Sequence, residues 1–69
     1  MLELVVNGRF VQLDGADERS LKDVLLDLAV DTAAVAVELN GLVVYPDKID
    51  LTLVQSGAKL EILKFIGGG

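Results

Sequence analysis

The sequence predicts an α+β fold in which one main helix packs on a mixed sheet of four to five strands. Three features predict it: segments that alternate apolar and polar residues, two Asn-Gly pairs that each join two such segments, and one segment whose apolar residues have helical spacing. The chain has 69 residues, of which 52% are hydrophobic, and contains neither Cys nor His. We therefore expect one small domain, residues 1–66, that is held together by apolar packing.

The first element is predicted to be a β-hairpin. Leu2–Val6 alternates, with its first, third and fifth residues on one face. Asn7-Gly8 follows, and an Asn-Gly pair between two apolar runs is a strong hairpin signal because both residues tolerate a positive φ. Arg9–Leu13 is then the return strand.

A polar loop over Asp14–Arg19 is predicted to lead into the helix. Ser20 is the expected N-cap, since its hydroxyl can accept a hydrogen bond from the backbone N–H of Asp23. The apolar residues that follow recur at i, i+3, i+4 and i+7 and form one core-facing stripe: Leu21, Val24, Leu25 and Leu28. The helix is expected to end near Val30.

The second half of the chain is predicted to be mostly extended. Val35–Leu39 alternates, and Asn40-Gly41 joins it to Leu42–Val44 as a second hairpin. Lys48–Gln55 alternates like a strand but could also contain a helical turn, so its structure stays open. Lys59–Ile66 is the last strand.

The order of these elements predicts the topology of the sheet. A hairpin followed by a helical crossover normally brings the next strand alongside the first in parallel. A mixed sheet of this kind, covered by one helix, is the β-grasp or ubiquitin-like arrangement.

Charge and length restrict the classes of partner. Six basic residues against eleven acidic ones give a net charge of −5 and a pI near 4.3. This balance argues against nucleic acid and anionic membrane surfaces, and it suits docking on a basic protein surface. We see neither a signal peptide nor a membrane span, so we expect a cytoplasmic protein. We also expect the chain to be monomeric when free.

Catalytic chemistry is not indicated by the side chains. Without Cys and His, thiol nucleophiles, His bases and Cys/His zinc sites are excluded. Asp14, Asp17 and Glu18 lack the spacing of a calcium loop and are expected to form a solvated acidic surface rather than a metal site. No Walker motif is present. The chain by itself is therefore predicted not to be an enzyme.

The tail is the unusual feature. Gly67, Gly68 and Gly69 directly follow the last predicted strand and are expected to be flexible. They could be a frayed end or an expression remnant. They could also form a threading arm, since three extended residues reach roughly 10 Å and glycine enters narrow channels. Such an arm would present the Gly69 carboxylate, which a separate enzyme must activate because the chain has no recognisable ATP site.

A second candidate feature is an apolar patch on the sheet face away from the helix. Strand alternation places five apolar residues there, as a candidate partner surface: Val5, Phe10, Ala36, Leu63 and Phe65. Two alternatives stay open. A bulge in the last strand could return Leu63 and Phe65 to the core, or the five residues could be isolated surface hydrophobics that form no patch.

Along its whole length the chain resembles the ThiS family, the small β-grasp sulfur carriers of thiamine biosynthesis. The resemblance rests on the strand ending in Asn7-Gly8, on Ser20-Leu21, on the stretch from Val35 to Val44, and on Leu60–Gly69. Two loops depart from the family pattern. Tyr45 intervenes before Pro46, and Ser56-Gly57-Ala58 replaces an Asp-Gly-Asp turn, which could alter partner preference.

The resemblance implies a mechanism and a set of partners. An adenylating enzyme uses Mg-ATP to adenylate the Gly69 carboxylate, and sulfur from a cysteine desulfurase converts it to a thiocarboxylate. Thiazole synthase then takes the sulfur. The chain itself binds no cofactor or metal in this scheme. Two alternatives are a molybdopterin-synthase small subunit or another Gly-Gly sulfur carrier, and a non-covalent ubiquitin-like binding module.

Overall fold

A computed structural model describes residues 1–32 and 35–64 of the chain. Within them the secondary structure follows the order strand, strand, strand, helix, strand, strand, 3-10 helix, strand, strand. The elements are β1 (Leu2–Val6), β2 (Arg9–Leu13), β3 (Glu18–Ser20), α1 (Leu21–Asp27), β4 (Val35–Leu39), β5 (Leu42–Val44), the 3-10 helix (Pro46–Leu51), β6 (Leu53–Gln55) and β7 (Ala58–Lys64). In this part of the chain no helix is long and apolar enough to span a membrane.

The described strands form a five-stranded mixed sheet in the order β2-β1-β7-β4-β5, and a separate ribbon of β3 and β6. β1 and β7 are parallel, whereas the β1–β2, β4–β5 and β4–β7 pairs are antiparallel. The first and last strands are therefore neighbours at the middle of the sheet. This arrangement confirms the predicted α+β class and the β-grasp topology.

The hydrophobic core lies between one face of the five-stranded sheet and the layer that contains α1, the 3-10 helix and β6. Alternate residues of the central strands and the stripe of α1 supply it, and the fully buried side chains are Leu2, Leu4, Leu21, Val24, Leu25, Val37, Val54 and Leu60. Burying a side chain of this size stabilises the fold by about 1.5–3 kcal/mol relative to exposing it. The opposite face of the sheet has no covering layer among the described residues.

Both Asn-Gly pairs form tight hairpin turns. Asn7 and Gly8 have φ of 48° and 81°, and Asn40 and Gly41 have φ of 51° and 86°. Two consecutive positive φ values are characteristic of a type I′ turn, whose twist matches that of the strands it joins. The prediction of two hairpins from these pairs is confirmed.

The helix begins where it was predicted to begin and ends earlier. The Ser20 hydroxyl accepts a hydrogen bond from the backbone N–H of Asp23 at 3.1 Å. The prediction of an end near Val30 is wrong, because α1 ends at Asp27 and Ala29 adopts a left-handed φ of 58°. The N–H groups of Ala29 and Val30 donate to the carbonyls of Leu26 and Leu25, both at 3.0 Å. This is a Schellman motif with alanine where glycine is usual.

Two further segments differ from the prediction or complete it. Glu18–Ser20, at the end of the predicted polar loop, is a strand, since it pairs with Leu53–Gln55 in antiparallel register. For the segment Lys48–Gln55 the sequence left a strand and a helical turn open, and the structure contains both: the end of the 3-10 helix comes first and β6 follows. One more hydrogen bond extends the ribbon to the start of α1, where the N–H of Leu21 donates to the carbonyl of Thr52 at 2.8 Å.

Candidate functional site

β7 is the element that leads to the C-terminal glycines, and it is the central strand of the sheet. It lies between β1 and β4, so both of its edges are hydrogen-bonded. Gly67, Gly68 and Gly69, together with Phe65, lie outside the described residues. The predicted flexibility of the tail therefore stays a prediction.

Asn7 extends the contact between β1 and β7 beyond the end of β1. Its side-chain Oδ1 accepts from the backbone N–H of Ile62 at 2.7 Å, and its Nδ2 donates to the Ile62 carbonyl at 3.1 Å. Its backbone N–H donates to the carbonyl of Leu60 at 2.9 Å. The side-chain amide thus takes the place of a peptide group in the ladder, after the hairpin turn has carried the main chain away.

Asn40 holds the other edge of β7 in a similar way. Its backbone N–H donates to the Lys59 carbonyl at 2.8 Å, and its Oδ1 accepts from the Lys59 N–H at 2.9 Å. At the start of β7 the N–H of Gly57 donates to the Glu3 carbonyl at 2.8 Å. The strand that precedes the glycines is therefore fixed from both sides by turn residues as well as by regular pairing.

The sheet face away from the core carries the four described members of the candidate partner surface. Phe10 and Leu63 are 66% and 54% exposed, and Val5 and Ala36 are half-buried. They form two directly opposed pairs, Val5 with Phe10 on β1–β2 and Ala36 with Leu63 on β4–β7. The structure therefore places them as two apolar groups on one face, and Leu63 lies two residues before Phe65.

Two exposed apolar side chains beside the Ala36–Leu63 pair were missed by sequence reasoning. Val43 is 55% exposed and lies opposite Glu38 in the β4–β5 pair. Tyr45 is 65% exposed and continues β5 in extended backbone, so alternation puts it on the side of Val43. Leu42–Val44 is apolar throughout, and its sequence therefore gives no sign of which residue faces outward. Only its pairing with Glu38 shows that Val43 faces outward.

Charged side chains separate the two apolar groups. Glu38 and Glu61 are direct partners across β4 and β7, and both are half-buried. Lys59, two residues before Glu61 on the same face, brings its Nζ to 3.7 Å from a Glu61 carboxylate oxygen. The open face therefore combines apolar pairs with an acidic pair at its middle.

Two of the three acidic residues singled out from the sequence, Asp17 and Glu18, have side-chain partners on other surfaces. Asp17 accepts from the N-terminal ammonium of Met1 at 2.8 Å, and this hydrogen bond and charge lower the pKa of Asp17 below its ordinary value of 3.8. A general acid needs a raised pKa, which is the opposite direction. Glu18 accepts from the Gln55 side chain. Among the described residues no group of three or more carboxylates could hold a metal ion.

A shallow groove of about 320 Å³ lies on the helix side, between the end of β4 and the β6–β7 turn. Its apolar lining includes Leu39, Val54 and Ala58, and its charged lining residue is Glu18. A triphosphate site needs Lys, Arg or a glycine-rich phosphate loop, and the described lining of this groove provides none of them.

Comparison with known proteins identifies the relatives of this chain. The ThiS family model matches residues 4–69. The crystal structure of the thiamine biosynthesis protein (ThiS) from Geobacter metallireducens is 39% identical, covers 99% of this chain and all of its own, and superposes with a TM-score of 0.87. An NMR structure of a thiamine biosynthesis protein from the same organism is 40% identical, with 99% and 88% coverage and a TM-score of 0.80.

A curated relative is a thiazole synthase from Paramagnetospirillum magneticum. It is 37% identical over 68 residues, which are 99% of this chain and 20% of that protein. The chain thus spans about a fifth of the length of this relative.

Proposed function

The chain belongs to the ThiS family, and from this membership we propose that it is a protein sulfur carrier of thiamine biosynthesis whose reactive group is the carboxylate of Gly69. The observation that carries the proposal is the extent of the family match, which runs through all three terminal glycines to residue 69. The chain acts as a recycled cosubstrate rather than as an enzyme.

The proposed chemistry begins with activation of the terminal carboxylate. A carboxylate is a poor acyl donor, because its oxygen is not a leaving group. Attack of the Gly69 carboxylate on the α-phosphate of ATP releases pyrophosphate and gives an acyl-adenylate, in which AMP is a good leaving group. Hydrosulfide then displaces AMP and leaves the thiocarboxylate directly; where the donor is a persulfide, an acyl disulfide forms first and a thiol reduces it to the thiocarboxylate. During thiazole formation the carbon–sulfur bond of the thiocarboxylate breaks and an oxygen bonds to the same carbon, which regenerates the carboxylate.

In this proposal the partner enzymes supply every group that the chain does not carry. An adenylating enzyme binds Mg-ATP, a cysteine desulfurase or another donor system supplies sulfur, and thiazole synthase receives it. The relative from Paramagnetospirillum magneticum supports the last partner, since a protein named thiazole synthase contains a segment similar to almost the whole of this chain. Gly67 and Gly68 are the threading arm that brings the Gly69 carboxylate to the partner in this proposal.

The geometry of β7 supports this division of roles. A carrier must present its last residues at a reproducible place, and β7 is held by hydrogen bonds from β1, β4, Asn7 and Asn40. The pair of Ala36 and the exposed Leu63 lies at the end of the sheet that leads to the tail. We expect this end of the open face to contact the partners.

Intact-mass analysis tests the proposal directly. The full chain is incubated with its adenylating enzyme, Mg-ATP and a sulfur source, and the expected product is a chain in which one oxygen has been replaced by sulfur. The matched control is the chain that ends at Gly67, which should fold equally well and gain no sulfur. An unmodified full chain, in the presence of an adenylating enzyme shown to be active, would contradict the proposal.

A pull-down distinguishes the pathways that use this chemistry. A carrier for thiamine biosynthesis should retain thiazole synthase and not the large subunit of molybdopterin synthase. A non-covalent binding module should keep its function after Gly68 and Gly69 are removed, whereas a carrier should lose it completely.

A further inference from the structure

The acidic pair on the open face is an unfavourable arrangement in the isolated protein. Glu38 and Glu61 are directly opposite each other, and directly opposed residues of an antiparallel pair have Cβ atoms about 4.5–5.5 Å apart. Like charges at that distance repel each other and destabilise the sheet. Nothing in the fold requires carboxylates at these two positions, since both lie on the face away from the core.

The repulsion is weakly compensated within the described chain. The Lys59 ammonium is 3.7 Å from Glu61, but the two side chains are 63% and 45% exposed, so the ion pair contributes little. Among residues 1–32 and 35–64, Glu38 has neither an ion pair nor a hydrogen bond to its carboxylate. The charged residues of this face, three carboxylates with Glu3 and one ammonium, sum to −2.

Apolar side chains flank the acidic pair. Val43 lies beside Glu38, the Ala36–Leu63 pair forms the next row towards the tail, and the Val5–Phe10 pair lies on the far side. A partner that covers these apolar groups also removes water from the two carboxylates. Burying an unpaired carboxylate costs several kcal/mol, so the covering surface has to bring a positive charge.

We infer that Glu38 and Glu61 together receive an arginine side chain of thiazole synthase, projecting from an apolar surface that covers the open face. Arginine fits better than lysine, because its planar guanidinium offers several N–H donors that can satisfy two carboxylates at once and it is more weakly hydrated. The inference rests on the proposed function for the identity of the partner. The acidic pair then sets partner specificity, since a neutral or acidic surface would leave both carboxylates buried and unpaired.

The first test combines binding and stability in the full-length chain. Glu38→Gln and Glu61→Gln should each weaken binding to thiazole synthase by about tenfold or more, because the arginine loses a charged partner. The same substitutions should raise the urea midpoint of the free chain, because they remove the repulsion. Glu3→Gln is the matched control: it changes the same charge on the same face, where Glu3 accepts from Gln12 at 3.2 Å, and should leave the affinity unchanged.

The second test identifies the partner group. Thiazole synthase is treated with phenylglyoxal, which modifies arginine, at a saturating concentration of the chain, and the modified peptides are found by mass spectrometry. One arginine should be protected by the wild-type chain and not by the Glu38→Gln, Glu61→Gln double variant. Wild-type affinity in both single variants, absence of any protected arginine, or absence of binding by the wild-type chain would each overturn the inference. Failure of the sulfur-carrier proposal has a separate readout, namely the missing mass change of the tail.

Discussion

The side chain of Asn7 provides the sharpest test of how the last strand is held. Replacing Asn7 with glycine keeps a residue that adopts φ of 48° without strain, and it removes the two hydrogen bonds to the N–H and carbonyl of Ile62. A neutral hydrogen bond contributes about 0.5–1.5 kcal/mol net, so the two together contribute about 1–3 kcal/mol. We expect Asn7→Gly to lower the free energy of unfolding by that amount.

Asn40→Gly is the matched control, because Asn40 occupies the same position of the same kind of turn with φ of 51°. The change in intrinsic backbone freedom is the same for both substitutions and cancels in the comparison. Asn40 loses one side-chain hydrogen bond, to the exposed N–H of Lys59, rather than two to part-buried groups. Asn7→Gly should therefore cost about 0.5–1.5 kcal/mol more than Asn40→Gly.

Urea unfolding of the three chains at pH 7 measures these differences, provided that the slopes agree. Amide hydrogen exchange gives the local readout. The Ile62 N–H should exchange faster in Asn7→Gly, because it loses its acceptor, while exchange of the Leu60 N–H should follow global stability alone. Equal losses of stability in the two variants, with unchanged protection of Ile62, would refute the idea that the Asn7 amide extends the ladder.

Three further predictions concern the ends of α1 and β1 and the core. Ala29→Gly should raise the free energy of unfolding by about 0.5–1 kcal/mol, because alanine is strained at φ of 58°; a loss of stability in urea unfolding would contradict this. Asp17→Asn should lower stability at pH 6. The pKa of Asp17 is lower in the folded chain, so its ionised carboxylate stabilises the fold above pH 3.8, and this stabilisation is lost as pH falls through the folded-state pKa. Melting curves recorded over this pH range should show the loss in the wild-type chain and not in the variant. Leu60→Ala should cost about 2–5 kcal/mol in urea unfolding, since Leu60 is fully buried, whereas Leu63→Ala, with 54% exposure, should cost far less.

The local elements were predictable because their signals lie within a few residues. The Asn-Gly pairs specify their turns through the φ values they tolerate, and Ser20 caps the helix through a hydrogen bond to a residue three positions away. The early end of α1 was not predictable in this way. Val30 continues the apolar composition of the helix, but the chain reverses at Ala29, where the Schellman hydrogen bonds offset the strain of a left-handed alanine.

The ribbon of β3 and β6 could not be predicted from local sequence either, because it depends on a contact between distant segments. Glu18 and Gln55 pair although 37 positions separate them. Glu18–Ser20 has no strand pattern of its own, and the alternation over Lys48–Gln55 does not show which strand it pairs with. Val43 and the acidic pair of Glu38 and Glu61 are similar cases. None of these residues stands out within its own segment. They form one surface because the register of β4 with β5 and β7 places them side by side.

By itself the sequence determined the α+β class, the two hairpins, the start of the helix and the resemblance to the sulfur carriers, because spacing, turn chemistry and the Leu60–Gly69 segment are all local properties. Only the tertiary structure decided that both turn asparagines hold β7, that the outward apolar residues form two separate groups, and that two glutamates face each other between them. The physical reason is that these features depend on the register of strands far apart along the chain, and packing of the core side chains fixes that register.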